Sequence, residues 1–254
     1  MVGILVHGDN HFILRAPLPD RDVALALVRY WSLIQIGATT ATCRHEVSRL
    51  CFAGDGAYST VLALAVFARR PGSDGPNMTY TTGLELQVGE DNPFEVDFAF
   101  WYQRNRMFGR NEEPALVFGE AKSFGTECFK AADVARMRKL ADKFPGTFMV
   151  FATLKDEFSA DEAKAIGEFA MWGREDLTNG LPRTPVIALT GTELFCDWHL
   201  EQTWKELGGQ RAALITQPAA RLDNLHRLAR FTQRVYLGLS DHRAPKSAAG
   251  PHQP

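Results

Sequence analysis

One segment, GTFMVFATL at 146–154, constrains the fold of this 254-residue chain more than any other part of the sequence. It is apolar at nearly every position, as expected of a strand in the middle of a sheet that is covered on both faces. Amphipathic helices are predicted on either side of it, at 131–144 and at 159–174, and Ser159 with Glu162 forms a capping-box pattern at the start of the second. Strands that alternate with helices of this length indicate an α/β domain.

Two further strands are predicted upstream, TGLELQV at 82–88 and FEVDFAFWY at 94–102, joined by a short polar turn. Such a hairpin adds antiparallel pairs, so the predicted fold class is α/β, with a mixed central β-sheet flanked by helices. Side chains alternate along a strand, so the second strand places four apolar residues on one face and Glu95, Asp97 and Ala99 on the other. The four apolar residues are Phe94, Val96, Phe98 and Phe100.

The sequence divides into four predicted regions. An N-terminal hairpin and helix occupy 1–40, a core domain 41–200, a C-terminal helical element 201–240 and a disordered tail 241–254. Within the core domain, STVLALAVFARR at 59–70 fits either a strand or a buried helix, because periodicity does not decide a short apolar run. TPVIALTGTELF at 184–195 is predicted as one more strand.

Charge and cysteine content narrow the classes of function. The net charge is −2 and the pI is about 6.4, so any surface for nucleic acid has to be local. Four cysteines are scattered without a CxxC pair, which indicates reduced thiols in a cytoplasmic protein rather than a zinc site. No signal peptide is expected from the first residues, and the longest clean apolar run, 61–68, is too short to cross a membrane.

The segment FGEAKSFG at 118–125 ends an apolar strand with an acid and a base one residue apart. Residues i and i+2 of a strand point to the same face, so the Glu120 carboxylate and the Lys122 ammonium emerge side by side. If the strand at 94–102 is its neighbour, Asp97 can meet Glu120, and two carboxylates in one place repel each other. A hard divalent cation such as Mg²⁺ removes that repulsion, and Lys122 could then orient or deprotonate a water, or stabilise charge on a phosphate.

A second copy of the same three residues, Glu162-Ala-Lys164, lies in a predicted helix. Residues i and i+2 of a helix do not face each other, so this copy is predicted to be part of a solvated face. It serves as an internal control for the strand copy.

FEVDFAF, followed by PALVFGEAKSFG, a helix and GTFMVFATL, resembles the PD-(D/E)xK nuclease superfamily over roughly residues 80–155. The resemblance maps the motif acid to Asp97 and the (D/E)xK residues to Glu120 and Lys122; Val96 stands where the motif has proline. It implies a restriction-endonuclease-like fold, dependence on Mg²⁺ with Mn²⁺ as a possible substitute, and DNA as the substrate. A further metal-binding acid is expected on a preceding helix, with Glu46 as the candidate and Glu85 as the rival.

Two basic segments are candidates for contact with DNA phosphates. Arg136, Lys139 and Lys143 form a stripe on the helix at 131–144, which could hold phosphates or place one cation at the metal site; a solvated face is the alternative. Arg104, Arg106 and Arg110 crowd the connection between the two strands that carry the acids, and a charged surface hairpin is the alternative there.

The last predicted helix, NLHRLARFTQRVYLGL, combines a basic face with an apolar one. It could dock a partner protein, form a homodimer, or pack onto this chain's own core, which is the usual outcome.

The leading hypothesis is a Mg²⁺-dependent DNA endonuclease acting in restriction, repair or phage defence. Its rival is a catalytically silent module of the same fold that binds nucleic acid or scaffolds a larger complex. A third reading is an α/β enzyme of another kind, although no Gly-rich phosphate loop, GxSxG or HExxH motif supports it.

Overall fold

The computed structural model describes 6–7, 11–12, 56–68, 77–87, 93–103, 113–123, 127–175, 182–196, 200–216, 222 and 224–240. Two short strands, β1 (Val6–His7) and β2 (His11–Phe12), pair antiparallel, as the predicted N-terminal hairpin requires. Several predictions fall outside the described residues. They concern the helix predicted within 1–40, Glu46, the basic residues Arg104, Arg106 and Arg110, and the tail at 241–254.

Five strands form the central sheet, and their order in the sheet is their order in the chain. They are β3 (Asn77–Leu86), β4 (Phe94–Gln103), β5 (Ala115–Lys122), β6 (Phe148–Thr153) and β7 (Val186–Leu189). The β3–β4 and β4–β5 pairs are antiparallel, whereas the β5–β6 and β6–β7 pairs are parallel. The predicted mixed sheet is therefore confirmed.

The helices of the described residues pack on both faces of this sheet. They are α1 (Gly56–Ala68), α2 (Ala131–Lys143), α3 (Ala160–Gly173), α4 (Gly191–Leu194), α5 (Leu200–Leu207), α6 (Gly209–Ile215) and α7 (Leu225–Tyr236). The ambiguous segment at 59–70 is thus part of a helix. None of the described helices has the length and apolarity that crossing a bilayer requires.

Two hydrophobic cores lie on opposite faces of the sheet, as shown by the alternation along β6. Phe148 and Val150 belong to the first core, with side chains of α1 and α4–α7. Met149 and Phe151 belong to the second core, with side chains of α2 and α3. A strand that is buried on both faces in this way explains the apolar segment at 146–154. The α/β fold with helices flanking a mixed sheet is confirmed.

The strand predicted over 184–195 is too long. Its strand part ends at Leu189, and Thr190 caps the short helix α4. The Thr190 side chain accepts a hydrogen bond from Thr192 N at 3.3 Å, and Glu193 accepts one from Thr190 N at 2.9 Å. This reciprocal capping box starts a helix where the apolar pattern alone suggested a continuing strand.

Helix α7 uses its apolar face inside this chain, burying Leu225, Leu228 and Phe231 in the first core. Its polar side chains also bond to β7, since Thr232 Oγ1 accepts from Ala188 N at 3.2 Å and Gln233 Nε2 donates to Val186 O at 2.7 Å. Packing onto the chain's own core is therefore confirmed. A partner or second copy that uses α7 would have to contact its exposed polar face.

Residues of the β3–β4 hairpin on either side of Gly83 pack into different hydrophobic cores, on opposite faces of the sheet. Phe98 and Phe100 belong to the first core, whereas Phe94 and Val96 belong to the second, although all four lie at alternate positions of one strand. Gly83 has a φ of +60° and lies opposite Asp97, between the pairs Thr82–Phe98 and Leu84–Val96. Glycine adopts this left-handed conformation without steric strain, which permits the change of sides at this position. The four apolar residues are buried as predicted but do not share one face.

Candidate active site

The three residues of the predicted motif meet where β4 and β5 separate. The last pair of the β4–β5 ladder is Phe98 with Gly119, so the next position along both strands sets Asp97 opposite Glu120. Glu120 and Lys122 alternate with Ala121 on β5 and face α2, because Arg136 of that helix contacts Glu120. The site thus lies at the carboxyl end of β5, beside β6.

The Asp97 carboxylate is held by the main chain of the neighbouring strand. Ala121 N donates a hydrogen bond to Asp97 Oδ2 at 2.6 Å, just beyond the end of the β4–β5 ladder. Burial and the nearby charge of Glu120 raise the pKa of Asp97 to about 6. A nearby cation would stabilise the ionised form of this carboxyl group, because the cation offsets the repulsion between the two acids.

Glu120 is only 4% exposed and is neutralised by two cations. Its Oε1 atom accepts a hydrogen bond from Lys122 Nζ at 2.9 Å and lies 2.9 Å from Arg136 Nη2. Arg136 also reaches Asp133, with Nη1 and Oδ1 3.5 Å apart. Burial alone would lower the pKa of Lys122, but its hydrogen bond to Glu120 and the neighbouring acids outweigh this effect and raise that pKa. Lys122 is therefore protonated at neutral pH.

Gly119 allows the strand to pass directly under an aromatic ring. A Cβ atom built at this position would lie 1.9 Å from the Phe98 ring, its cross-strand partner on the face opposite the acids. Any side chain larger than hydrogen would displace that buried ring. The glycine immediately before Glu120 is therefore required by the packing of the two strands, and not by the chemistry of the site.

The two carboxylates fit a hard cation such as Mg²⁺. Within the described residues, Asp97 Oδ1 and Glu120 Oε2 form no hydrogen bond, which leaves one oxygen of each acid for a ligand. Oxygen-only donors suit Mg²⁺, which keeps several waters when proteins bind it through one or two carboxylates. The same part of the chain contains no group of three acids, histidines or cysteines that could hold a metal ion.

Glu85, the rival candidate for a metal ligand, and Glu95 occupy less central positions. Glu95 and Glu85 face each other across the β3–β4 ladder, and both are exposed. The charge of Glu95 contributes to the raised pKa of Asp97. Glu46, the favoured candidate for a third ligand, lies outside the described residues.

The basic residues predicted to contact DNA separate into three groups. Arg136 is part of the acid–lysine cluster, where it pairs with Glu120. Lys139 is exposed on α2. Arg104 and Arg106 are not among the described residues.

Glu162 forms the predicted capping box with Ser159, whose N donates to Glu162 Oε2 at 2.8 Å, but its burial was not predicted. It was predicted on a solvated face, and this is wrong: Glu162 is 1% exposed, whereas Lys164 is exposed. It accepts hydrogen bonds from Lys155 Nζ at 2.9 Å and from Phe129 N at 2.8 Å. The helical spacing held a signal, because Glu162 lies on the same stripe as Ile166 and Phe169, four and seven residues later.

No protein-family model and no curated protein matches this sequence. Among solved structures, the MspJI restriction endonuclease in complex with a 27-mer oligonucleotide matches at 19% sequence identity and a TM-score of 0.31. The match covers 78% of this chain and 36% of the MspJI chain, so this chain spans about a third of the length of that protein. So low a TM-score carries no argument about the function of this chain.

Proposed function

We propose that this chain is a Mg²⁺-dependent DNA endonuclease that hydrolyses phosphodiester bonds at Asp97, Glu120 and Lys122. The observation that carries the proposal is the meeting of two acids from adjacent strands, one with a raised pKa, beside a lysine 2.9 Å from the second acid. A cluster of partly buried charged groups that shift one another's pKa values is typical of catalytic sites. The resemblance of residues 80–155 to PD-(D/E)xK nucleases supplies the choice of DNA as substrate.

In this proposal Asp97 and Glu120 would hold the ion, and each has one oxygen, Oδ1 and Oε2, without a hydrogen bond to other described residues. Bound there, Mg²⁺ or Mn²⁺ would supply a polarised water and neutralise charge on the phosphate. Lys122, which is protonated, donates hydrogen bonds to the attacking water or to a phosphate oxygen. Deprotonation of the attacking water is the other role open to Lys122. Hydrolysis joins the water oxygen to phosphorus and breaks the bond to the leaving sugar oxygen; the water gives up one proton, to Lys122 if it is neutral or to solvent, and the leaving oxygen takes one up from solvent.

Cations around the site would hold the DNA backbone. Arg136 can turn from Glu120 to a phosphate, because its side chain is 36% exposed. Lys139 lies one turn further along α2 and is exposed, and Arg104 and Arg106 would extend the same function from the connection between β4 and β5. A role in cytoplasmic restriction, repair or phage defence would suit such an enzyme.

The test is cleavage of supercoiled, linear and single-stranded DNA in Mg²⁺, Mn²⁺ or EDTA. Wild type should cut only with a divalent ion, and Asp97→Ala and Lys122→Ala should lose cutting while staying folded. Lys164→Ala, the matched lysine of the second Glu-Ala-Lys copy, should cut like wild type. Equal cutting by all variants would reveal a contaminating nuclease and remove the support for the proposal.

A catalytically silent DNA-binding module is the second candidate. It is favoured by one observation: Lys122 and Arg136 already neutralise Glu120, as a metal ion otherwise would. Calorimetric titration with Mg²⁺ and Mn²⁺ separates the two candidates. Binding that is lost in Asp97→Ala supports the nuclease, whereas DNA binding without any metal binding supports the silent module.

A further inference from the structure

Phe129, which lies between β5 and α2, is attached to α3 by a hydrogen bond from its main chain to a buried side chain. Phe129 N donates to Glu162 Oε1 at 2.8 Å, across 33 residues of sequence. Phe129 lies just before α2, so this bond fixes the position of the main chain at the entry to that helix. A buried acid therefore determines where the Phe129 side chain stands.

The Glu162 carboxylate is itself held rigidly. Both of its oxygens accept from Lys155 Nζ, at 3.0 and 2.9 Å, and Oε2 also accepts from Ser159 N at 2.8 Å. Lys155 lies two residues after the end of β6, and Ser159 is the N-cap of α3. Glu162 thus joins three segments that meet at the carboxyl end of the parallel strands.

The Phe129 ring lies between the Glu162 carboxylate and the candidate active site. It is 4% exposed and packs edge-on against Phe151 of β6, with ring centroids 5.2 Å apart. Lys122 Nζ lies over the same ring, 5.9 Å from its centroid, within the range of a cation–π contact. Lys122 is therefore bounded by the Glu120 carboxylate and by the aromatic face of Phe129.

We propose that Glu162 is a positioning residue for Lys122 and acts through Phe129. A lysine has a four-carbon stem with many rotamers, and a neighbouring ring reduces the number that it can adopt. Glu162 fixes the main chain at Phe129, the ring then confines Lys122, and the ammonium stays beside Glu120, where the reaction would need it. The catalytic part of this inference rests on the proposed nuclease function, whereas the positioning part does not.

The first experiment requires no enzymatic activity. In metal-free protein labelled with ¹³C-lysine, the Lys122 side-chain signals are assigned by their loss in Lys122→Arg. They should be shifted upfield by the Phe129 ring, and should return toward free-lysine values in Glu162→Gln. Glu193→Gln is the matched control, because Glu193 is also buried and accepts hydrogen bonds, from Trp204 Nε1 at 2.8 Å and Thr190 N at 2.9 Å. Unmoved Lys122 signals in a folded Glu162→Gln protein would overturn the proposal.

A second variant keeps the proposal testable if Glu162→Gln does not fold. Phe129→Leu retains the main-chain N–H that Glu162 accepts but removes the ring. Its Lys122 signals should lose the upfield shift while the fold stays intact. Signals that stay at the wild-type position would show that the ring does not confine the lysine and would overturn the proposal.

The second experiment measures cleavage kinetics of the same variants. Glu162→Gln should lower kcat between tenfold and a hundredfold, as misplacement of a catalytic group does, with KM for DNA unchanged. Phe129→Leu should give a similar loss, and the double variant should be no worse than either single one. Glu193→Gln should leave both constants unchanged; an equal loss in that variant would reduce Glu162 to a stabilising role. If wild type does not cut DNA, the proposed function fails, and the lysine signals still decide whether Glu162 positions Lys122.

Discussion

The tripeptide Glu-Ala-Lys occurs twice in this chain, once in a strand and once in a helix. On β5, Glu120 and Lys122 share a face and their charged groups lie 2.9 Å apart. On α3, Glu162 turns into the protein and bonds to Lys155, while Lys164 remains exposed. The same three residues therefore form an acid–base pair or separate, depending only on whether the backbone repeats every two residues or every 3.6.

The largest expected difference between the copies is catalytic. Lys122→Ala should slow DNA cleavage by about 10²–10³-fold, the usual effect of removing a donor that stabilises developing charge. Lys164→Ala should leave the rate unchanged. Single-turnover cleavage of plasmid DNA in Mg²⁺ measures both, with matching denaturation midpoints as the control for folding. Equal rates in the two variants would remove Lys122 from the mechanism.

The residue before each copy should differ in its effect on stability. Gly119→Ala places a methyl group against the buried Phe98 ring and should destabilise the fold by about 3 kcal/mol. Asp161→Ala alters an exposed residue in the first turn of α3 and should change stability by under about 1 kcal/mol. Urea denaturation measures both. A Gly119→Ala protein as stable as wild type would mean that the Phe98 ring can move aside.

Removing the charge of the helix copy should weaken the fold without touching the candidate active site directly. Glu162→Gln leaves Lys155 without its anion and weakens the bonds from Ser159 and Phe129, so we expect a loss of about 2 kcal/mol. Lys164→Ala should stay within about 0.5 kcal/mol of wild type. If the two substitutions had the same small effect, the buried acid would contribute little to stability.

The contribution of Glu162 to the free energy of unfolding should depend on pH. Burial tends to raise the pKa of Glu162, but hydrogen bonds from Ser159, Lys155 and Phe129 outweigh this effect and lower that pKa below its ordinary value of 4.5. A group whose pKa is depressed by folding stabilises the fold above its unfolded pKa and loses that contribution as the pH falls. The difference in unfolding free energy between wild type and Glu162→Gln should be full above pH 4.5 and shrink below it. A difference that stays constant down to pH 3 would contradict this assignment.

The central sheet and the meeting of Asp97 with Glu120 could be predicted because both depend on short-range patterns. Alternation along a strand is a local property, and two neighbouring strands need only one register to bring their acids together. The position of Glu162 could not be predicted in the same way. Its burial depends on Phe129 and Lys155, which reach it from other segments of the chain, and a helical pattern alone does not show what covers a polar residue.

Two further outcomes had causes that a hydrophobic pattern does not contain. Helix α4 replaced the end of a predicted strand because Thr190 and Glu193 cap each other, a polar signal inside an apolar run. The division of the β4 residues between two cores follows from the left-handed backbone of Gly83, which lies on the neighbouring strand. Arg136 was predicted to bind phosphate, to stand at the metal site or to belong to a solvated face; its Nη2 lies 2.9 Å from Glu120 Oε1, and its role stays a prediction.

The hydrogen bond from Ala121 N to Asp97 has a consequence for how the site tolerates change. Every amino acid except proline supplies a backbone N–H donor. The orientation of the Asp97 carboxylate therefore does not depend on which side chain stands at position 121. Mutational drift at position 121 can therefore alter the packing beneath the sheet while the acid keeps its direction. Natural selection would then act on the few charged side chains of the site and on the separation of β4 from β5. It would not need to preserve many other residues around them.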